Sequence, residues 1–182
     1  YELLFPDDQR GLWALAAFAG GAPLPAVEHV LEALDVPAVA AIDVVGRLAG
    51  RSLVTVDDEG AGTVRYRLLD SIRAYARDAM QEAGHGDRAL GAHAAWFAAA
   101  AQTSPAGVRS RAPAAHLAFA RAERANIDAA LAWTADHDPR LGLDLVNGFG
   151  WAWVVLGDSR GAQRALTAPG AAGDGAAPAA RA

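Results

Sequence analysis

The chain has no cysteine, no lysine and a single methionine. Nor does it hold an apolar run near the about 18 residues that a membrane span needs. Without cysteine there are no disulfides, no thiolate zinc sites and no Cys nucleophile, which fits a reducing, cytoplasmic compartment. Without lysine there is no phosphate-gripping P-loop, because that loop depends on its Lys; all 16 basic residues are Arg. No charged-then-apolar leader opens the sequence. The net charge of -5 argues against a protein whose main task is to coat nucleic acid. A start without Met and a Gly/Ala/Pro-rich end lead us to expect a segment of a longer protein.

What is present is mostly alanine. The sequence is 53% hydrophobic, and Ala, the strongest helix former, makes up much of that share. We therefore expect a mainly α-helical chain with thin helix–helix contacts. Pro6 with Asp7 or Asp8 starts a helix over 7–19 that Gly20-Gly21 ends, with Leu12, Leu15, Ala16 and Phe18 inward. A second helix over 24–34 carries Val27, Val30, Leu31 and Leu34 on one face. A third, over 37–49, buries Val39, Ile42, Val45 and Leu48 on this reading.

The period then changes. Residues 53–56 and 64–68 read as strands, joined by the acidic, glycine-containing stretch 57–63. In the second strand Arg65 and Arg67 alternate with apolar residues, so the arginines are expected outside. Asp70 then opens a helix over 71–83 with Ile72, Tyr75, Ala76, Ala79 and Met80 on one face. Three helices, a hairpin wing and a following helix make a winged helix, assigned to 1–83. Residues 84–168 read as antiparallel helical hairpins like tetratricopeptide repeats: 87–101 with Leu90, Ala94 and Phe97, then 113–136 with Phe119, Glu123, Ile127 and Leu131. After Pro139, Leu141, Leu145, Phe149 and Trp153 step by four, and a short helix over 159–167 follows Gly157. The tail, 169–182, reads as mobile or as the start of a truncated repeat.

In this order and spacing the phrases LWALAAFAGGAPLPAVEHVL, VVGRLAGRSLVTV, RYRLLDSIRAYARDAM, HAAWFAAAAQ, ERANIDAALAWTAD and GWAWVVLGDSRGAQRAL resemble one family. It is the region behind the nucleotide-binding domain in actinobacterial STAND-class signal-transduction ATPases, regulators of the LuxR and Streptomyces-antibiotic-regulator types. The resemblance implies a relay module. Its winged helix would fold against an upstream ATP/ADP-binding domain, whose Walker motifs would precede Tyr1. A downstream helical array would sense a ligand or partner, and a separate effector domain would bind promoters. Where some relatives carry Met-His-Asp at the wing-to-helix junction, this sequence has Leu68, Leu69 and Asp70, so the phosphate-approaching His is missing. Leu69, Asp70 and Arg73 are the candidate contacts to the nucleotide domain.

Asp70 has a plainer reading as a helix N-cap. Arg47, Arg51, Arg65 and Arg67, with Arg73, form the only basic cluster, fit for DNA, an adjoining domain or solvent. The third helix offers one Arg, one Asp and no Asn, Gln or Lys for base edges, so direct DNA binding is the lesser expectation. A stand-alone winged-helix DNA-binding factor with a helical dimerisation or ligand domain, and a pure interaction scaffold, remain as alternatives. Catalysis is not expected: the five histidines show no metal spacing, and no Gly-x-Ser-x-Gly elbow occurs. Trp96, Trp133, Trp151 and Trp153 read as core and seam residues. The last two point about 200° apart on a helix.

Overall fold

The computed structural model describes residues 3–58, 60, 64–103 and 113–157. The helix expected over 159–167, the tail 169–182, Glu59 and residues 61–63 lie outside them. The chain divides into two compact units, Tyr1–Trp96 and Phe97–Ala182. The first therefore takes in the leading turns of a helix beyond residue 83.

Unit one runs α1 (Pro6–Ala16), β1 (Ala22–Pro23), α2 (Leu24–Ala33), a 3-10 turn (Ala38–Ala40), α3 (Ala41–Gly50), β2 (Val54–Asp58), β3 (Val64–Leu68) and α4 (Asp70–Glu82). The strands form an antiparallel sheet in the order β1-β3-β2, with Val54 opposite Leu68 and Ala22 opposite Tyr66. The third strand, β1, went unread in the sequence because two residues carry no alternation. Pro23, which cannot donate a ladder bond, sits in this edge strand.

Helix α1 ends at Ala16, short of the expected residue 19, and Phe18 is buried just beyond it. The helix is buried on nearly every side, through Leu12, Trp13 and Leu15. Gly11 makes that possible: a Cβ there would overlap the Val44 Cγ1 methyl and lie 3.1 Å from Leu48 Cδ1. Helices α2, α3 and α4 end alike. The residue after each C-cap, Asp35, Ser52 and Gly84, has positive φ. The next amides, of Val36, Leu53 and His85, bond back to Leu31, Leu48 and Met80.

The third helix corrects the sequence reading. Val39 is 84% and Ile42 51% exposed, whereas Ala41, Val44, Val45 and Leu48 are buried. The helix begins only at Ala41. The 3-10 turn before it resets the phase, so the inward stripe runs 41, 44, 45, 48 and leaves Val39 and Ile42 outside.

Helix α5 (Gly86–Thr103) contains the boundary between the units. Within unit one His85 stacks on Trp13 with centroids 5.1 Å apart, His93 meets Phe18 edge-on at 4.8 Å, and Trp96 lies 5.6 Å from His29. Arg88 grips Asp35 with two 2.9 Å hydrogen bonds. That fork, foremost through its hydrogen bonds, holds the Asp35 carboxyl below its ordinary value of 3.8.

In unit two α6 (Pro113–Ala122) and α7 (Arg124–His137) replace the single helix expected over 113–136. The break is Glu123, whose ψ of 11° leaves the helical range while its buried carboxylate accepts a 2.7 Å bond from Asn126. Asp138 caps α8 (Pro139–Val155) by accepting from the Leu141 amide at 3.0 Å, and α7 and α8 fold back on each other. Leu145, Phe149 and Trp153 are buried in step, and Trp151, on the other side, is 6.2 Å from His116. At Gly148 a Cβ would overlap the Ala101 side chain and lie 2.9 Å from its Cα.

Two measurements check this packing. Gly148→Ala gains helix propensity yet should lose about 1–3 kcal/mol by overpacking, read as a lower urea midpoint; an unchanged or raised midpoint contradicts the close α5–α8 approach. Because Asp35 is depressed in the folded state, its contribution exists above pH 3.8 and is lost as pH falls through the lowered value. Wild type should thus exceed Arg88→Gln in stability at neutral pH, and the gap should close on acidification. A gap that does not narrow on acidification would rule out the ion pair as its source.

Candidate functional site

The outward side of α3 is the natural place to look, since in a winged helix this element faces the ligand. Packing of Ala41, Val44, Val45 and Leu48 against the core leaves Val39, Ile42, Asp43, Gly46, Arg47 and Gly50 turned outward. Such a face is mostly apolar, with one residue of each charge. Major-groove reading relies on Arg, Lys, Asn or Gln reaching base edges.

The one arginine here is engaged. Arg47 meets the Oδ1 of Asp8 through Nε at 2.8 Å and through a terminal nitrogen at 2.6 Å. Asp8 is fully buried, in the first turn of α1, and its Oδ2 has no hydrogen-bond partner among the described residues. The hydrogen bond that Arg47 donates to Asp8 is the main cause of an Arg47 pKa raised above its ordinary value. A buried carboxylate needs a paired cation, so Arg47 is held to α1. The sequence reading missed Asp8, taking it only as a helix-start signal. Its place two residues after Pro6 gave no sign that the first turn would be covered by α3.

The other expected cluster members separate. Arg65 was expected outside and is instead 4% exposed. Its guanidinium donates to the carbonyl of Gly21 at 3.0 Å and reaches that of Gly20 at 3.5 Å. Arg67 also donates to Gly20 and pairs with Asp57 at 2.8 Å. The physical reason is the turn before β1. Gly21, at φ 73°, lays its backbone over this side of β3, where a Cβ would sit 2.7 Å from Tyr66 O. Carbonyls of that turn draw the arginines inward. Toward the wing tip, Asp58 accepts from the Gly60 amide at 2.9 Å.

At the start of α4 a further expectation fails. Leu69, not Asp70, is the N-cap residue, and no side chain caps the helix. Asp70 is the first helical residue; its side chain is 99% exposed and stands 3.8 Å from Arg73. Its carboxylate therefore acts on α4 through the helix dipole and the Arg73 ion pair, not as a cap. Leu69 is 55% exposed beside it. Arg51 lies elsewhere, on an apolar groove of about 330 Å³ floored by Leu12, Leu53 and Ile72. Leu69, Asp70 and Arg73 thus share the α4 entry, Arg47 and Arg51 stand one turn apart at the end of α3, and Arg65 and Arg67 lie at the Gly20-Gly21 turn. Among the described residues no group of three His, Cys, Asp or Glu side chains could hold a metal, and no helix could cross a membrane.

Helices, wing and the α3 side together define a winged helix-turn-helix domain, and residues 12–81 match that domain family. Beyond it, the chain is similar to the proteins named Putative HTH-type transcriptional regulator Rv0890c and MT0914 of Mycobacterium tuberculosis and Mb0914c of Mycobacterium bovis. Each is 32% identical over 140 residues, a match that covers 75% of this chain and 15% of the relative. The chain therefore corresponds to a small part of these relatives. No solved structure matches it.

Removing the cation should expose the cost of the buried carboxylate. Arg47→Gln should lose about 1–3 kcal/mol in urea denaturation, less than a fully buried pair because Arg47 is 41% exposed. Adding Asp8→Asn should restore part of that loss. Strictly additive losses in the double variant would show that the two side chains do not act as a pair.

Proposed function

We propose that this chain is a regulatory relay module within a larger transcriptional regulator of the STAND type, and that its winged helix works by contact with protein. The observation that carries this reading is the outward side of α3, where Val39, Ile42, Gly46 and Gly50 stand around an arginine already held by Asp8. An apolar face gains by burial against another apolar face, and gains little against a polyanion. The acidic residues of β2 and the net charge of -5 push the same way.

On this reading an upstream domain binds ATP or ADP and rests against the winged helix, with Leu69, Asp70 and Arg73 at the contact. The α7–α8 hairpin begins a tetratricopeptide-like array whose ligand or partner alters that docking. Signal transfer is then a population shift between two packings, and requires the ligand to bind one of them more tightly. The setting is cytoplasmic, and no chemistry is performed by this chain itself.

Direct DNA binding is the second reading. It is favoured by the winged helix-turn-helix match and by relatives named as HTH-type transcriptional regulators. Fluorescence anisotropy with randomised duplex DNA separates the two. Protein contact predicts a Kd no tighter than the non-specific range of about 1–100 μM at physiological salt. A duplex selected from the pool at about 10 nM, with affinity falling steeply as salt rises, would establish the DNA reading.

A further inference from the structure

The groove that holds Arg51, the C-cap of α3, shares no lining residue with the outward side of that helix. Its floor is Leu12 of α1, Leu53 before β2 and Ile72 of α4, and its rim is Leu3 and Tyr75. Leu3 is 90% and Tyr75 52% exposed, so large apolar side chains stand in water at its edge. On α4 the lining residues Ile72 and Tyr75 stand one turn apart and so face the groove together.

We infer that this groove seats an acidic amphipathic helix presented by a partner protein domain. Shape is the first argument. A small-molecule site encloses most of its ligand, whereas this trough is lined by residues as exposed as Leu3 and lies against one turn of α4. A second helix laid in it can place apolar anchors at i, i+3 or i+4 and i+7 against Leu53, Ile72 and Tyr75.

Charge is the second argument, and it chooses the kind of helix. Arg51 is the one charged residue lining the groove. Its recorded hydrogen bond is a 3.4 Å reach to the Leu3 carbonyl, and no carboxylate pairs with it among the described residues. Arg47, Arg65 and Arg67, by contrast, are each committed to a carboxylate or to backbone carbonyls. A purely apolar occupant would bury the Arg51 cation without a partner, which is costly. An occupant with a carboxylate beside its apolar stripe satisfies both features, and a basic one is repelled.

This inference rests on the reading that the first unit works through protein contact. The test uses the whole 182-residue chain and two labelled helical peptides. One carries Leu at i, i+3, i+4 and i+7 with flanking Glu; the other has Lys in place of every Glu. Anisotropy should show the Glu peptide binding roughly tenfold or more tightly than the Lys peptide. Arg51→Glu should reverse that order, and Tyr75→Ala should weaken both peptides, with circular dichroism confirming that each variant is folded.

Equal affinities for the two peptides, no saturable binding of the Glu peptide, or an Arg51→Glu variant with unchanged preference would overturn the proposal. So would sedimentation showing a dimer that Arg51→Glu dissociates, since the occupant would then be a second copy. The two readings fail separately. Tight duplex binding with retained Glu-peptide binding removes the protein-contact account of α3 and leaves the groove standing. Weak duplex binding with no peptide preference removes the groove alone.

Discussion

The crossing of α1 and α3 is the constraint from which the rest of unit one follows. Gly11 has no side chain, so Val44 and Leu48 reach the α1 backbone. That approach covers the first turn of α1 and buries Asp8. A carboxylate in that position must find a cation, and Arg47 is the residue that α3 offers. One close contact thus sets the rotation of α3, commits its arginine to Asp8 and leaves Val39 and Ile42 as the exposed apolar remainder.

The same economy of carbonyls and cations explains the sheet. A left-handed Gly21 brings a turn over β3, and carbonyls of that turn accept from Arg65 and Arg67. Arginines that in a DNA-binding wing would reach for phosphate here tie the α1–β1 turn to the sheet. Arg51 alone of the expected cluster keeps its charge beside an apolar surface, which is why the groove and not the wing is the basic feature of interest.

Much of the fold could be read in the sequence, because period and punctuation are local properties. The α2 stripe of Val27, Val30, Leu31 and Leu34, the stop at Gly84 and the switch to strands near Val54 are all set within a few residues of one another. Errors came where a distant element decided the outcome. Ile42 and Val39 lost their places in the core to a change of helical phase at Ala41. Arg65 turned inward because a turn more than 40 residues earlier covers its side of the strand. Asp8 looked like a start signal because its partner is 39 positions away. Of the candidate site, Leu69, Asp70 and Arg73 stand together at the α4 entry, and the cap expected of Asp70 is absent. Leu69 in extended conformation already starts the helix, so that carboxylate points into water.

The central claim is that the outward side of α3 rests on protein. Hydroxyl-radical footprinting of the intact regulator and of this chain alone, read by mass spectrometry, tests it most directly. The account predicts that Val39 and Ile42 are oxidised in the isolated chain and protected in the intact protein without any DNA. Equal oxidation in both, with protection appearing only when duplex is added, would contradict it.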